Sequence, residues 1–368
     1  MLKHLVKPTQ SRWMSLPKAM VFIAMIAMFM ALPVKAAVDA TNRPALGMLV
    51  INSALGNGPT TVFYPSNSTA TALERGPFLL QVAMNGQPVI GNRRLVVFSH
   101  GSGGNPWPAM DLARSFVEAG YTVAMPEHQG DNNRDMHLVG PSSWKLRPLE
   151  VSAAIDAVQQ DSRLANFVDF DRVGVYGMSA GGLTALVLAG GKWSPANFKR
   201  YCLAHMASDF PACVGLTTQL KGNWTDIIKL AIARWVLRLK FGDETLVGHQ
   251  DARIKAVLAA VPMAAPFDMA TLAQPTLTIG LIAAGKDQWL TPAAHVRAVQ
   301  AVCASCTLVL DLPEAGHGSL FSPWPAALAQ SLTPLLVDPP GFVRADLPMY
   351  YQKMVAFFNA SLQLAATQ

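Results

Sequence analysis

The stretch VGVYGMSAGG (173–182) constrains the fold more than any other part of the chain, because it places one serine between two glycines at a junction. The run before Ser179 alternates valine with glycine and tyrosine, which is typical of a strand. The residues after it, AGGLTALVLAGG, predict a helix that stops at a glycine pair. A serine in a sharp strand-to-helix turn is the pattern of a nucleophile elbow, in which Gly177 and Gly181 let neighbouring backbone approach closely. The same residues also fit an ordinary serine in a glycine-rich loop, so motifs elsewhere in the chain are needed to distinguish the two interpretations.

Short apolar runs alternate with helical patterns from residue 48 onward. Continuous apolar runs are expected of strands that are buried on both faces of a sheet. Runs of this kind are 93–101, 121–128, 254–262, 277–285 and 306–313, with helical patterns at 108–120, 147–161 and 291–302. Two earlier segments, TTVFYPS and FLLQVAM, are predicted to be antiparallel strands. This alternation predicts an α/β fold with a mostly parallel sheet and helices on both faces.

The segment from residue 192 to about 252 interrupts the alternation, since it contains three tryptophans, two cysteines and the helical run TDIIKLAIARWVLRLKF but no strand-like run. We expect a helical insertion that forms a cap over the site. Within it, an apolar stripe lies beside basic residues: Ile228, Ile232, Trp235 and Leu239 with Lys229, Arg234, Arg238 and Lys240. The stripe fits a lid that contacts a membrane surface, but a helix packed on its own domain is commoner and is the arrangement we expect.

A serine hydroxyl needs an adjacent base to become nucleophilic near neutral pH. His317, in PEAGHGSLF (313–321), stands between two glycines just past the last expected strand, where a sheet presents a base to an elbow serine. The base in turn needs a carboxylate that fixes its tautomer. Asp287, in AAGKDQWLTP, follows a long apolar strand and is preferred, and Asp268, in AAPFD, is the alternative acid. The other histidines after the serine lie in the insertion or on a helix where solvent exposure is the default: His205, His249 and His295.

The segment FSHGSGG (98–104) follows an expected strand and contains a histidine and three glycines in five positions. Such a segment supplies one of the two backbone N–H donors of an oxyanion hole. We assign the two donors to the amides of Ser102 and Ala180. His128, in PEHQGD, is a candidate pocket residue, with a plain loop position as the alternative. No phosphate loop, HExxH motif or Cys/His metal spacing occurs, and the predicted chemistry needs no cofactor or metal.

The first 36 residues have the pattern of a secretory signal peptide. Four basic residues precede the 14-residue apolar run 19–32, which is shorter than a bilayer span, and Val34 and Ala36 fit the rule for cleavage. We therefore expect a cut after Ala36 and a secreted or periplasmic mature chain of residues 37–368. Five of the 29 Lys and Arg and none of the 23 acidic residues lie before the cut, so the mature chain has a net charge of +1. This near balance gives no basis for nucleic-acid binding.

Four cysteines lie in the expected mature chain, and an even number in an oxidising compartment predicts two disulfides. Three connectivities exist, and we favour the local pairs Cys202–Cys213 and Cys303–Cys306. The CASC segment also fits a redox pair. It precedes a late strand instead of opening a helix after an early one, which favours a structural disulfide.

With the elbow, HGSGG, GKDQWLTP and AGHG in this order, the chain resembles the α/β-hydrolase superfamily. Within it, the chain is most similar to exported dienelactone-hydrolase-like proteins and to platelet-activating-factor acetylhydrolases, over about residues 90–325. The resemblance implies an eight-stranded sheet in one catalytic domain and a serine esterase acting on a small-molecule or lipid ester. It implies Ser179 as nucleophile, Asp287 as acid and His317 as base. Some members of the superfamily have the acid after the sixth strand, and Asp268 therefore stays as the alternative acid. Two other functions are a serine peptidase of the prolyl-oligopeptidase type and an inactive binding protein on the same fold.

Overall fold

The computed structural model describes residues 44–52, 58–215, 217–325 and 336–363, so the expected signal peptide lies outside the described residues. Pro44–Gln368 forms one compact unit. The strands are β1 (Ala45–Ile51), β2 (Thr60–Ser66), β3 (Thr71–Arg75), β4 (Phe78–Met84), β5 (Leu95–Ser99), β6 (Thr122–Pro126), β7 (Val173–Met178), β8 (Lys192–Trp193), β9 (Ile254–Ala260), β10 (Phe267–Asp268), β11 (Thr278–Ala284) and β12 (Thr307–Leu312). The α-helices are α1 (Met110–Glu118), α2 (Pro141–Gln160), α3 (Ala180–Leu188), α4 (Pro195–His205), α5 (Phe210–Val214), α6 (Thr225–Lys240), α7 (Val296–Val302) and α8 (Leu347–Ser361).

Ten of these strands form one sheet in the order β12-β11-β9-β7-β5-β6-β2-β1-β4-β3. The first six in this order are parallel. β2 runs antiparallel to β6 and β1, β4 pairs in parallel with β1, and β3 closes the edge antiparallel to β4. The expected mostly parallel α/β sheet is present, but the expected number of eight strands is wrong. The hairpin β3–β4 accounts for the difference, because β4 alternates buried and exposed residues and extends the sheet beyond β1.

Helices cover both faces of the sheet. On one face, α2, α3 and α7 pack on it through residues such as Ile155, Leu183 and Val299. On the other face, α1 and α8 pack on it through residues such as Phe116 and Phe358. The strands β5, β6 and β7 are fully buried between these layers, which explains their continuous apolar sequences. Because the central strands are parallel, the loops after β5, β7, β11 and β12 emerge at the same edge of the sheet.

The insertion between α3 and β9 contains α4, α5 and α6. It contributes to the core beside α2 and α3 through Trp193, Phe198 and Leu237. The apolar stripe on α6 does not pack there, since Ile228, Ile232, Trp235 and Leu239 are all exposed. The helix packs on its own domain as expected, but it does so through other residues such as the buried Leu237 and not through this stripe.

Two disulfides join neighbouring segments. Cys202–Cys213 links α4 to α5, and Cys303–Cys306 closes the turn before β12, so both predicted pairings are confirmed. Among the described helices, none has the length and hydropathy that crossing a bilayer requires.

Candidate active site

Ser179 occupies the sharp turn between β7 and α3. Its backbone angles, φ 59° and ψ −117°, lie where residues with a side chain are rarely found. Such a conformation costs on the order of 1–3 kcal/mol and persists only where the surroundings enforce it. The Ser179 amide donates to the carbonyl of Ala260 at 3.0 Å, and its carbonyl accepts the amides of Leu183 and Met263 at 3.1 Å each. The strained turn is therefore held by β9 and by the first turn of α3.

Two glycines make this turn sterically feasible. A Cβ on Gly181 would lie 1.9 Å from the carbonyl oxygen of Ser99, and a Cβ on Gly177 would lie 1.9 Å from the carbonyl oxygen of Gly181. Non-bonded atoms cannot approach that closely, so both positions must lack a side chain. The start of α3 can then pack directly against the end of β5.

His317 and Asp287 form a buried hydrogen-bonded pair in the loops after β12 and β11. Nδ1 of His317 lies 2.7 Å from Oδ2 of Asp287. Oδ1 of the same carboxylate accepts the amides of Trp289 and Leu290 at 2.8 and 2.9 Å, which fixes its orientation. A carboxylate can only accept, so this contact suits an imidazole that donates from Nδ1, and in a neutral imidazole that tautomer leaves Nε2 with a lone pair. This is the tautomer that a general base requires.

Ser179 and His317 lie on the wall of one cavity of about 430 Å³. Among the described residues no hydrogen bond joins the two side chains, a contact that often forms fully only when substrate binds. Apolar side chains dominate the wall, among them Phe98, Trp107, Leu112, Tyr176, Met178 and Leu320. The described part of the insertion contributes none of the wall, so the expected cap over the site is not found. The turn of the β3–β4 hairpin and the segment after His317 border the cavity instead.

Asp268, the alternative acid, lies away from this pair. Its Oδ1 accepts the Ala270 amide at 3.2 Å and caps a short 3₁₀ helix, and its backbone pairs with Lys192 between β10 and β8. It is not among the residues on the cavity wall. The structure brings His317 together with Asp287 and not with Asp268.

The loop after β5, residues 100–104, runs beside Ser179. A Cβ on Gly101 would lie 3.4 Å from Cβ and 3.9 Å from Oγ of Ser179. Ser102 is on the cavity wall, and Ala180 is the first residue of α3, whose first amides have no partner within the helix. Neither amide donates a hydrogen bond to another described residue. Both N–H groups are therefore without a partner among the described residues, as the donors of an oxyanion hole would be.

A buried ion pair holds this loop in place. Arg147 from α2 and Asp131 from the loop after β6 are fully buried, with Nη2 and Oδ2 2.9 Å apart. Oδ1 of Asp131 accepts the Ser102 hydroxyl at 2.7 Å and the Gly103 amide at 2.8 Å, while Nη1 of Arg147 donates to the His100 carbonyl at 2.6 Å. Burial alone would raise the pKa of Asp131. The charge of Arg147 and the hydrogen bonds more than offset burial, and the pKa lies below its ordinary value.

His128, expected as a pocket residue, is instead buried and is not on the cavity wall. Its Nε2 lies 2.8 Å from the Ser99 hydroxyl, and its Nδ1 lies 2.6 Å from Oε2 of Glu150. Burial lowers the pKa of His128, and likewise that of His100, well below the ordinary value, and it raises the pKa of Glu150 to about 6. Both histidines are therefore neutral, and His128 supports the end of β5.

Sequence reasoning missed the polar side chains of α2. Arg147 and Glu150 lie on the same side of α2 as the buried Val151 and Ala154. Two charged residues on the apolar side of a helix are unusual, and this pattern in the sequence could have indicated that they are buried. His295, expected at a solvent-exposed helix surface, is also buried. Its Nε2 lies 2.9 Å from Oδ2 of Asp209 in the insertion.

No protein-family model matches the chain. A segment of 73 residues is 29% identical to dipeptidyl peptidase 8 of Mus musculus, and the protein of the same name from Homo sapiens matches to the same extent. The match covers 20% of this chain and only 8% of each relative. The similarity to a peptidase is therefore weak and partial. It does not favour esters over peptides as substrates.

Proposed function

We propose that the protein is an exported serine hydrolase that cleaves carboxylic esters through an acyl-enzyme. The observation that carries the proposal is that Ser179 and His317 border one cavity, with His317 hydrogen-bonded to Asp287. A serine on a strained turn, an imidazole at the same cavity and a carboxylate bound to that imidazole are the groups that acyl transfer uses.

In the proposed reaction, Nε2 of His317 takes the hydroxyl proton of Ser179 while Oγ attacks the ester carbonyl carbon. The carbonyl oxygen becomes an oxyanion, which the amides of Ser102 and Ala180 stabilise. The bond to the leaving alkoxide then breaks, and the alcohol departs with the proton from the imidazolium. A water, deprotonated by the same imidazole, attacks the acyl-enzyme, and the acid leaves as Ser179 regains its proton. Asp287 stabilises the imidazolium in both halves of the cycle.

The cavity wall supports an ester with an apolar acyl or alcohol part. A volume of about 430 Å³ lies in the range of sites that hold a small organic ligand. Each Å² of apolar surface that such a ligand buries contributes roughly 25 cal/mol, so a longer apolar chain should bind more tightly until the cavity is full. A series of esters of increasing chain length should therefore pass through an optimum.

Export is supported by the two disulfides, because such bonds persist in oxidising compartments. In this proposal residues 1–36 are removed, and residues 37–368 form a single catalytic domain with the insertion at about 192–252. The proposed reaction uses no cofactor or metal.

Hydrolysis of p-nitrophenyl esters by residues 37–368 tests the proposal. Ser179→Ala should lower kcat by at least about 10³-fold, because it removes the nucleophile. The matched control is Ser162→Ala, which removes an exposed hydroxyl and should leave kcat unchanged. A Ser179→Ala enzyme that cleaves p-nitrophenyl acetate near the wild-type rate would refute the proposal.

A peptidase is the second candidate, favoured by the similarity to dipeptidyl peptidase 8. An enzyme that removes dipeptides from the amino terminus of a peptide has to accommodate an ammonium group, which calls for an acidic partner. The described wall of the cavity contains no Asp or Glu, which favours the ester. Assaying one preparation on fatty-acid esters and on dipeptide anilides separates the two. Hydrolysis of the anilides alone, lost in Ser179→Ala, would establish the peptidase.

A further inference from the structure

The outer side of α6 and the residue before it carry six large apolar side chains that are between 50% and 73% exposed. They are Trp224, Ile227, Ile228, Ile232, Trp235 and Leu239, and we call this surface the α6 face. The α-helical repeat of 3.6 residues places them on one side of the helix. Single exposed apolar residues are ordinary on protein surfaces, whereas a contiguous set of this kind marks an interaction site.

The attachment of α6 to the rest of the protein does not use this surface. Leu237 on the opposite side is buried, and Leu230 and Ala233 pack against the same core. Just beyond the helix, the ring of Phe241 lies 5.4 Å from the ring of Phe198. The helix is therefore anchored by its inner side, and the α6 face is left without a partner among the described residues.

Basic residues border the α6 face. Arg234 and Arg238, four residues apart, follow one edge of it, and Lys240 ends the helix near the other edge. These three side chains make no ion pair within the described part of the chain. Lys229 does pair, with Asp226 at 2.8 Å, and Asp226 is the one acidic residue of the helix. The border of the apolar surface thus carries uncompensated positive charge.

We propose that the α6 face docks on an anionic lipid surface. A helix lying in the membrane interface has this arrangement, with apolar and tryptophan side chains entering the headgroup–acyl boundary and Lys or Arg at its borders. The long side chains of Arg234 and Arg238 can extend along the apolar surface and place their guanidinium groups at lipid phosphates. A second copy of the chain fits less well, because two α6 faces brought together would oppose their positive borders.

The α6 face and the candidate active site share no residues. The described residues of α6 contribute none of the cavity wall, so the α6 face is a surface separate from the cavity. The proposal therefore stands whether the cavity hydrolyses esters or peptides, and a binding assay tests it without reference to activity.

Cosedimentation with vesicles tests the docking surface, using residues 37–368 because the compact unit begins at Pro44. The vesicles are phosphatidylcholine alone and phosphatidylcholine mixed with phosphatidylglycerol. The wild-type protein should bind the mixed vesicles at least ten-fold more tightly than the neutral ones, and added salt should weaken that binding. The triple variant Trp224→Ser/Ile227→Ser/Trp235→Ser should bind the mixed vesicles at least ten-fold more weakly than the wild type.

Two further variants make the result specific. Arg234→Gln/Arg238→Gln should lose most of the preference for anionic vesicles. Leu79→Ser/Ile90→Ser changes two side chains that are 63% and 70% exposed outside α6, and it should bind as the wild type does. Circular dichroism should show the same fold for every variant, because all of these side chains lie on the surface.

Four results would overturn the proposal. They are the absence of binding to mixed vesicles, equal binding to both kinds of vesicle, undiminished binding of the triple variant, and equal weakening by the control variant. Sedimentation equilibrium adds a further test. A wild-type dimer that the triple variant dissociates, without any vesicle binding, would assign the α6 face to a second copy of the chain.

Discussion

Asp131→Asn should impair catalysis through the loop that this side chain holds. Asp131 accepts two hydrogen bonds from the loop, from the Ser102 hydroxyl and the Gly103 amide, and it compensates the buried charge of Arg147. Asparagine has nearly the same shape but only one acceptor oxygen and no charge. The substitution therefore disturbs the loop and leaves a guanidinium buried without a counterion.

Two magnitudes follow from these contacts. Breaking a fully buried ion pair by removing one partner costs about 3–5 kcal/mol of stability. Displacing one oxyanion donor costs about 2.7–4 kcal/mol of transition-state stabilisation, so kcat should fall about 10²–10³-fold. KM should change little, because the amide of Ser102 is assigned to the oxyanion and not to the bound ester.

A double variant separates the two effects. Asp131→Asn/Arg147→Met removes both charges, so most of the lost stability should return, whereas the loop remains unanchored and kcat should stay low. Urea unfolding measures the stability, and hydrolysis of a p-nitrophenyl ester gives kcat and KM. Glu244→Gln, which breaks an exposed ion pair with Arg200, should change neither the stability nor the kinetic constants. A stable double variant with wild-type kcat would refute the positioning role of Asp131.

Three other outcomes follow from the same geometry. Asp287→Asn should lower kcat about 10⁴-fold in the ester assay, because an amide favours the wrong imidazole tautomer. Gly181→Ala should cost about 3 kcal/mol or more in urea unfolding, since its Cβ would meet a main-chain oxygen at 1.9 Å. Lowering the pH from 7.5 to 6 should cost about 1 kcal/mol of unfolding free energy, because the lowered pKa values of His100 and His128 mean that the unfolded chain binds more protons. The raised pKa of Glu150, about 6, offsets part of this loss, because folding favours its protonated form.

Each of these outcomes has a matched control. Asp268→Asn should leave kcat unchanged, and Gly242→Ala should be nearly neutral, since a Cβ there meets nothing within 4 Å. His137→Gln removes an exposed histidine and should preserve the pH dependence of unfolding. Wild-type kcat in the Asp287→Asn enzyme, a Gly181→Ala protein as stable as the wild type, or an unfolding midpoint that does not change with pH would contradict the respective prediction.

Local patterns predicted the parts of the structure that depend on neighbouring residues. Continuous apolar runs indicate strands buried on both faces, and β5, β6 and β7 are buried along their whole length. The turn around Ser179 was readable because glycine is the residue that permits such a close approach. The pair Cys202–Cys213 was favoured because its two members are close in sequence, and it forms.

Contacts between segments that are distant in the sequence cannot be predicted from such local patterns. Nothing in the sequence near His128 shows that Ser99 and Glu150 surround it, so its interior position cannot be predicted from the neighbouring residues. The hairpin β3–β4 has few residues and an alternating pattern, and its position at the sheet edge depends on pairing with β1. Whether the apolar stripe of α6 faces the core or the solvent also depends on tertiary packing, because both sides of this helix carry apolar residues and only one side packs on the core.

Labelling with a fluorophosphonate probe, followed by mass spectrometry of the peptides, identifies the nucleophile of the protein. We expect covalent modification of Ser179 alone, loss of labelling in Ser179→Ala, and strongly slowed labelling in His317→Gln. Ser99 is the informative competitor, because it also borders the cavity and lies 2.8 Å from the imidazole of His128. Modification of Ser99, or no modification of a correctly folded protein, would contradict the claim that Ser179 is the nucleophile.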